Sequence, residues 1–117
     1  MNYPKAAWPY SPYYWAWDLL FCSWQIWLMP ETMKIVNWWV TEETIQIIKN
    51  ITWILEENNL NIKNIVKTTI FLQDINDFKI INEVYWAFFL HKPARSTIEV
   101  SRLPLNALIE IEVIAKK

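Results

Sequence analysis

The chain has 117 residues, enough for one hydrophobic core and too few for two domains of ordinary size, so a single domain over 1–117 is expected. Eleven lysine and arginine residues against twelve aspartate and glutamate residues give a net charge of -1. This balance offers no basic field to hold a phosphate backbone, which excludes nucleic acid as an expected partner.

The first predicted element is a β-hairpin. Residues 12–16 and 19–26 are strand-like runs, and the two residues between them, Trp17-Asp18, occupy the position of a tight turn. Residues 29–40 predict a turn and a short extended segment that leads into a helix.

A helix is predicted over residues 41–58, where apolar residues recur at helical spacing. Thr41 is the predicted N-cap, and Glu42 and Glu43 lie in the first turn, where carboxylates are favourable. Asn58-Asn59 supplies the predicted stop.

The second half of the chain continues as strand, helix, strand, strand. Residues 63–72 are rich in β-branched side chains, 77–89 return to a helical pattern, and 95–101 and 107–115 are predicted strands. The order β-β-(β)-α-β-α-β-β predicts an α+β domain with both helices on one face of a mixed sheet.

Alternation in the last two strands predicts one apolar face and one polar face. The predicted apolar positions are Ile98, Val100, Ile109, Ile111 and Val113, and the predicted polar positions are Arg95, Thr97, Glu99, Glu110 and Glu112. The apolar face is expected under the helices. The polar face, with Arg95 and Glu110 on adjacent strands, is expected to meet water or a partner subunit.

The cysteine and histidine counts restrict the chemistry and the compartment. Cys22 is the one cysteine and His91 the one histidine, so an internal disulfide and a usual zinc site are both excluded. The longest strongly apolar stretch, 19–30, is well short of the roughly 20 residues of a membrane helix. We therefore expect a cytoplasmic protein without a signal peptide, bound metal or membrane partner.

Many short segments match one protein family in the same order along the chain. They are Pro9-Tyr10-Ser11, Leu20-Phe21-Cys22-Ser23, Gln25-Ile26, Pro30-Glu31-Thr32, Val66-Lys67-Thr68-Thr69-Ile70-Phe71-Leu72, Asn76-Asp77-Phe78, Asn82-Glu83-Val84-Tyr85, Lys92-Pro93-Ala94-Arg95-Ser96-Thr97 and Glu110-Ile111-Glu112-Val113-Ile114-Ala115. By these segments the chain resembles the Rid/YjgF family of reactive-intermediate (enamine/imine) deaminases.

The resemblance implies a chorismate-mutase-like α+β fold and a homotrimer with ligand sites at the subunit boundaries. It implies hydrolysis of 2-imino acids, such as 2-iminopropanoate and 2-iminobutanoate, to 2-keto acids and ammonia, with no cofactor. A non-catalytic trimer that binds a small ligand or regulates is the alternative. A ribonuclease is disfavoured by the near-neutral charge and the absence of a histidine pair.

The resemblance also implies roles for particular residues. Arg95 matches the carboxylate-binding arginine, and a guanidinium suits a carboxylate because it offers two parallel hydrogen bonds. Glu110 matches the acid that holds the attacking water and moves protons. The remaining expected pocket residues are Tyr10, Ser23, Trp24, Asn82 and Thr97, the last through its backbone N–H.

The tryptophan content is unusual. The chain has nine tryptophans and no glycine, whereas average usage predicts about 8 glycines. One interpretation is an aromatic core or binding surface. The other is that UGA codons read as glycine in the source have been decoded as tryptophan. The resembled family typically has glycine at the positions of Trp8, Trp17, Trp24 and Trp38 or Trp39, and the sequence context of Trp15, Trp27, Trp53 and Trp86 also suits glycine. The coding DNA distinguishes UGA from UGG directly.

Overall fold

The computed structural model describes residues 11–25 and 39–117, and for Trp24 and Gln25 the backbone alone. The extended segment predicted within 29–40 therefore lies outside the described residues up to position 38, as do Trp8, Trp27 and Trp38. The elements are β1 (Tyr13–Ala16), β2 (Leu19–Gln25), α1 (Val40–Glu57), β3 (Ile65–Leu72), α2 (Phe78–Phe88), β4 (Ala94–Glu99) and β5 (Ile109–Lys116).

The five described strands form one sheet in the order β1-β2-β5-β3-β4. Neighbouring strands are antiparallel except β3 and β4, which are parallel because α2 carries the chain back between them. The predicted α+β class and mixed sheet are confirmed. β4 pairs with β3 alone and forms one edge of the described sheet.

The hydrophobic core lies between the two helices and one face of the sheet. Ile47 and Ile51 of α1 and Ile81 of α2 are fully buried in one cluster with Ile70 of β3 and Ile111 of β5. Burying a side chain of this size stabilises a fold by roughly 1.5–3 kcal/mol. Both helices thus cover the same face, as the sequence predicts.

The ends of α1 test the predicted signals. The helix begins at Val40, so Trp39 occupies the N-cap position without a side-chain cap, and the prediction of Thr41 as N-cap is wrong. The Thr44 hydroxyl instead donates to the Val40 carbonyl at 2.7 Å within the first turn. The predicted stop is confirmed, because Asn58 is the C-cap and Asn59 has a φ of 60°.

The hairpin turn places a tryptophan in a conformation that disfavours it. Trp17 has a φ of 54° between β1 and β2, and its side chain is 96% exposed. The left-handed region costs an ordinary L-residue roughly 1–2 kcal/mol, whereas glycine enters it without steric penalty. The indole gains no burial that would offset this cost.

Trp17→Gly is therefore expected to raise the free energy of unfolding by roughly 1 kcal/mol. Urea denaturation followed by circular dichroism measures the change. Trp86→Gly is the matched control: position 86 lies inside α2, where glycine is expected to lower stability by about 1 kcal/mol. A loss of stability in Trp17→Gly would contradict the interpretation of the turn.

Candidate active site

Arg95 lies on the edge strand β4 and points toward α2. Its Nη1 donates to Asn82 Oδ1 at 2.7 Å, and its guanidinium carbon lies 4.7 Å from the ring centroid of Tyr85 and 5.4 Å from that of Phe78. Cation–π contacts and one neutral amide hold the guanidinium, and among the described residues its other N–H donors have no hydrogen-bond partner, which leaves them for a ligand.

Helical spacing in α2 explains the surroundings of Arg95. Phe78, Asn82, Tyr85 and Phe89 follow one another at intervals of four, three and four residues and so share one face of the helix. The Tyr85 hydroxyl hydrogen-bonds the Thr68 hydroxyl at 2.8 Å, and its ring stacks on Phe89 with centroids 4.2 Å apart. Sequence reasoning named Asn82 and missed Phe78 and Tyr85, although this spacing was the signal that could have found them.

The Arg95 side chain lines a cleft of about 250 Å³. The cleft is lined by Asn82, Tyr85, Trp86, Phe89, Lys92, Pro93 and Arg95. Within the part of the chain that the structure describes, no carboxylate forms a salt bridge with Arg95. A half-buried guanidinium without an acidic partner is suited to bind a small carboxylate from solution.

The predicted faces of β4 are reversed. Arg95 is in register with Thr68 and Thr97 with Ile70, and both partners face the helices because Thr68 contacts Tyr85 of α2. Ile98 lies on the opposite face and is 46% exposed. At this edge of the sheet the aromatic side chains of α2 pack against Arg95. The face of β4 toward the helices therefore carries Arg95 and Thr97, and Ile98 is exposed on the other face.

Glu110 lies on the face of the sheet away from the helices. It is in register with Phe71, which is itself in register with the exposed Ile98. The residue is 2% exposed, and its Oε2 has no hydrogen-bond partner among the residues that the structure describes. Burial, with a smaller contribution from the nearby Glu112 carboxylate, raises the pKa of Glu110 to about 7. A carboxyl with this pKa can both accept and release a proton near neutral pH.

Arg95 and Glu110 therefore do not share a face within one chain. The sequence-based expectation that they lie on like faces of adjacent strands is wrong, because the register fixes Arg95 beside Thr68 on the helix face and Glu110 beside Phe71 on the other. One chain alone cannot present both side chains to the same small molecule.

The other predicted pocket residues are distributed over both faces. Asn82 contacts Arg95. Thr97 lies on the same face, and its buried Oγ1 has no hydrogen-bond partner within residues 11–25 and 39–117. Ser23 donates to the Ser11 carbonyl and lines a separate cavity of about 590 Å³ that Glu112 also lines. Tyr10 and the Trp24 side chain lie outside the described residues.

Two further buried acidic groups are structural. Burial raises the pKa of the Cys22 thiol to about 12, so it stays protonated and is a poor nucleophile. The Glu43 carboxylate accepts the Leu108 N–H at 2.9 Å, which ties α1 to the segment before β5, and burial raises its pKa to about 7. No three metal-ligating side chains lie together among residues 11–25 and 39–117.

The family model described as endoribonuclease L-PSP matches residues 1–117. A structure from the Rid protein family of Yersinia pestis has 42% identity and a TM-score of 0.96, covering 99% of this chain and 94% of that one. The chain belongs to this Rid/YjgF family. The resemblance found in the sequence is thereby confirmed.

Named relatives of this family member bear on function. A RutC family protein of Aquifex aeolicus is 48% identical over 97% of this chain and 95% of its own length. Reactive Intermediate Deaminase A, chloroplastic, of Arabidopsis thaliana is 47% identical over 96% of this chain and 60% of its own length. The crystal structure of Escherichia coli TdcF with bound serine has 35% identity and a TM-score of 0.93, covering 99% of this chain and 94% of that one. Across the described ranges, no helix has the length and apolar character of a membrane span.

Proposed function

We propose that this protein is a hydrolytic deaminase that converts 2-imino acids, such as 2-iminopropanoate and 2-iminobutanoate, to 2-keto acids and ammonia without a cofactor. The observation that carries the proposal is Arg95, a guanidinium without an acidic partner among the described residues, held by Asn82 at a cleft sized for a small acid. The relative named as a reactive intermediate deaminase supports the same chemistry. The single buried cysteine supports a reducing, cytoplasmic location.

In this mechanism Arg95 binds and orients the substrate. Two parallel N–H donors bind the substrate carboxylate and fix the adjacent imine carbon in one orientation. Because the aromatic rings of Tyr85 and Phe78 hold the guanidinium, little freedom is lost when substrate binds.

Glu110 supplies the proton transfers. The carboxylate orients a water, accepts its proton as the water oxygen bonds to the imine carbon, and returns that proton to the imine nitrogen, which gives a carbinolamine. Glu110 then moves the remaining hydroxyl proton to nitrogen as the C=O bond forms and the C–N bond breaks, giving the 2-keto acid and ammonia. A pKa of about 7 suits a group that must take up and release a proton in one cycle.

The site in this proposal is composite, with Arg95 from one copy and Glu110 from its neighbour in a homotrimer. This arrangement is supported by the opposite orientation of the two residues within one chain. It is also supported by the apolar side chains that the Glu110 face exposes, including Phe21 at 41% and Ile98 at 46%. The proposal requires the neighbouring copy to cover this face with its β4 edge, so that its Arg95 reaches Glu110.

The test is to couple a threonine dehydratase to the purified protein and follow the absorbance of the imine. We expect the imine to decay faster in proportion to protein concentration, with 2-oxobutanoate and ammonia as products. The non-catalytic alternative predicts binding of 2-oxobutanoate with no acceleration, and that result would remove the deaminase proposal.

A ribonuclease has less support, although the matched family carries that description. His91 is the one histidine of the chain, and its Nε2 lies 2.9 Å from the Ile65 carbonyl oxygen. With a single histidine, the chain has no histidine pair to act as base on the ribose hydroxyl and as acid on the leaving oxygen.

A further inference from the structure

A second cation, Lys92, lines the same cleft as Arg95, and the proposed mechanism does not use it. Its Nζ lies 5.1 Å from the ring centroid of Trp86, over the face of the indole. This cation–π contact keeps the ammonium at the wall of the cleft.

The backbone at Lys92 is unusual for a lysine. Its φ is 54°, a region in which glycine and asparagine are much more common. The Lys92 N–H donates to the Phe89 carbonyl at 3.1 Å, which closes the turn after α2, and Pro93 follows directly. The turn therefore fixes the backbone position from which the Lys92 side chain extends. Strained backbone conformations of this kind cluster at functional sites.

The electrostatics of the cleft are one-sided. Among the described residues that line it, the charged ones are Arg95 and Lys92, and both are cations. Within the ranges that the structure describes, neither forms a salt bridge; Lys116 with Asp18 is the pair found there. Two cations without acidic partners in one small cleft favour a ligand with two negative charges.

Size and lining restrict that ligand further. A cleft of about 250 Å³ is smaller than the roughly 300–1,000 Å³ of sites for drug-sized ligands, so it suits an acid of few atoms. Trp86, Phe89 and Pro93 provide apolar surface beside the two cations, which suits one or two methylene groups.

We propose that this cleft selects 2-imino acids whose side chain ends in a second carboxylate, with the 1-carboxylate on Arg95 and the side-chain carboxylate on Lys92. The proposal rests on the proposed function for the reaction, and it adds the substrate class. Simple aliphatic imino acids would still bind through Arg95, more weakly.

The experiment measures binding of two stable keto acids, 2-oxoglutarate and 2-oxobutanoate, to the full chain by isothermal titration calorimetry. We expect 2-oxoglutarate to bind about fivefold more tightly, because an exposed charge pair is worth up to about 1 kcal/mol. Lys92→Asn should abolish this preference by weakening 2-oxoglutarate binding, with a much smaller effect on 2-oxobutanoate. Asparagine tolerates the left-handed conformation, so this variant removes the charge and keeps the turn.

Lys92→Arg retains the cation and is expected to retain the preference, whereas Lys117→Asn makes the same charge change at the end of the chain and should have no effect. Equal affinity of the wild type for both acids, or an unchanged preference in Lys92→Asn, would overturn the proposal. A turnover assay distinguishes failure of this proposal from failure of the deaminase proposal. If no imine is hydrolysed, the deaminase proposal fails, whereas the binding preference for 2-oxoglutarate tests the role of Lys92 and does not require turnover.

Discussion

Arg95→Ala is expected to lower kcat/KM for 2-iminobutanoate by on the order of 100-fold, because a charge-assisted, bidentate contact to the substrate is lost. The aromatic rings of Tyr85 and Phe78 that contact the guanidinium are retained in this variant, so the fold is expected to persist. The dehydratase-coupled assay measures the rate, and circular dichroism reports the fold.

Two controls define the role of Arg95. Arg95→Lys keeps the positive charge without the planar fork and is expected to recover only part of the activity. Arg102→Ala removes an exposed arginine elsewhere and should leave the rate unchanged. If Arg95→Ala retained kcat/KM within about twofold, Arg95 would not be the carboxylate anchor.

Glu110→Gln is expected to lower kcat by about 10²- to 10³-fold with little change in KM, since glutamine fills the same space but cannot accept a proton. In the wild type the rate should rise with pH through about 7, where Glu110 loses its proton. A pH–rate profile from pH 5 to 9 measures both effects.

Glu112→Gln is the matched control two residues along the same strand. It should retain kcat while shifting the rise in rate to lower pH, because the Glu112 charge contributes to the raised pKa of Glu110. Full activity in Glu110→Gln, or a profile that does not respond to Glu112, would contradict the role assigned to Glu110.

Stability separates the catalytic effect of Glu110 from unfolding. The pKa of this buried carboxyl in the folded state is about 7, above its ordinary value of 4.5, so its contribution to stability is full below pH 4.5 and is lost as the pH rises through about 7. Glutamine does not ionise, so Glu110→Gln should be at least as stable as the wild type at pH 8.

The main elements were predictable because local patterns determine them. Two strand-like runs flanking Trp17-Asp18 predicted the β1–β2 hairpin, a period near 3.6 predicted both helices, and Asn58-Asn59 marked the end of α1. Alternation in β5 also identified Ile109, Ile111 and Val113 as core residues, because that strand lies between two others under the helices.

The faces of β4 were not predictable in the same way. Alternation divides the residues of a strand into two sets but does not say which set faces the helices, and at an edge strand the more apolar set need not be buried. Register with Thr68 and contacts from Tyr85 of α2 decide that Arg95 faces the helix side. These are long-range pairings, and without them alternation placed Arg95 and Glu110 on like faces of adjacent strands.

Mixing the two inactive variants tests the composite site most directly. Arg95→Ala and Glu110→Gln are dissociated, combined in equal amounts and reassembled, and imine hydrolysis is compared with that of each variant treated alone. If each site takes Arg95 from one copy and Glu110 from its neighbour, random assembly restores about one quarter of the sites, and activity should return to about that fraction of wild type. Activity no higher than that of the separate variants, in a mixture shown to contain hybrid oligomers, would contradict a site shared between copies.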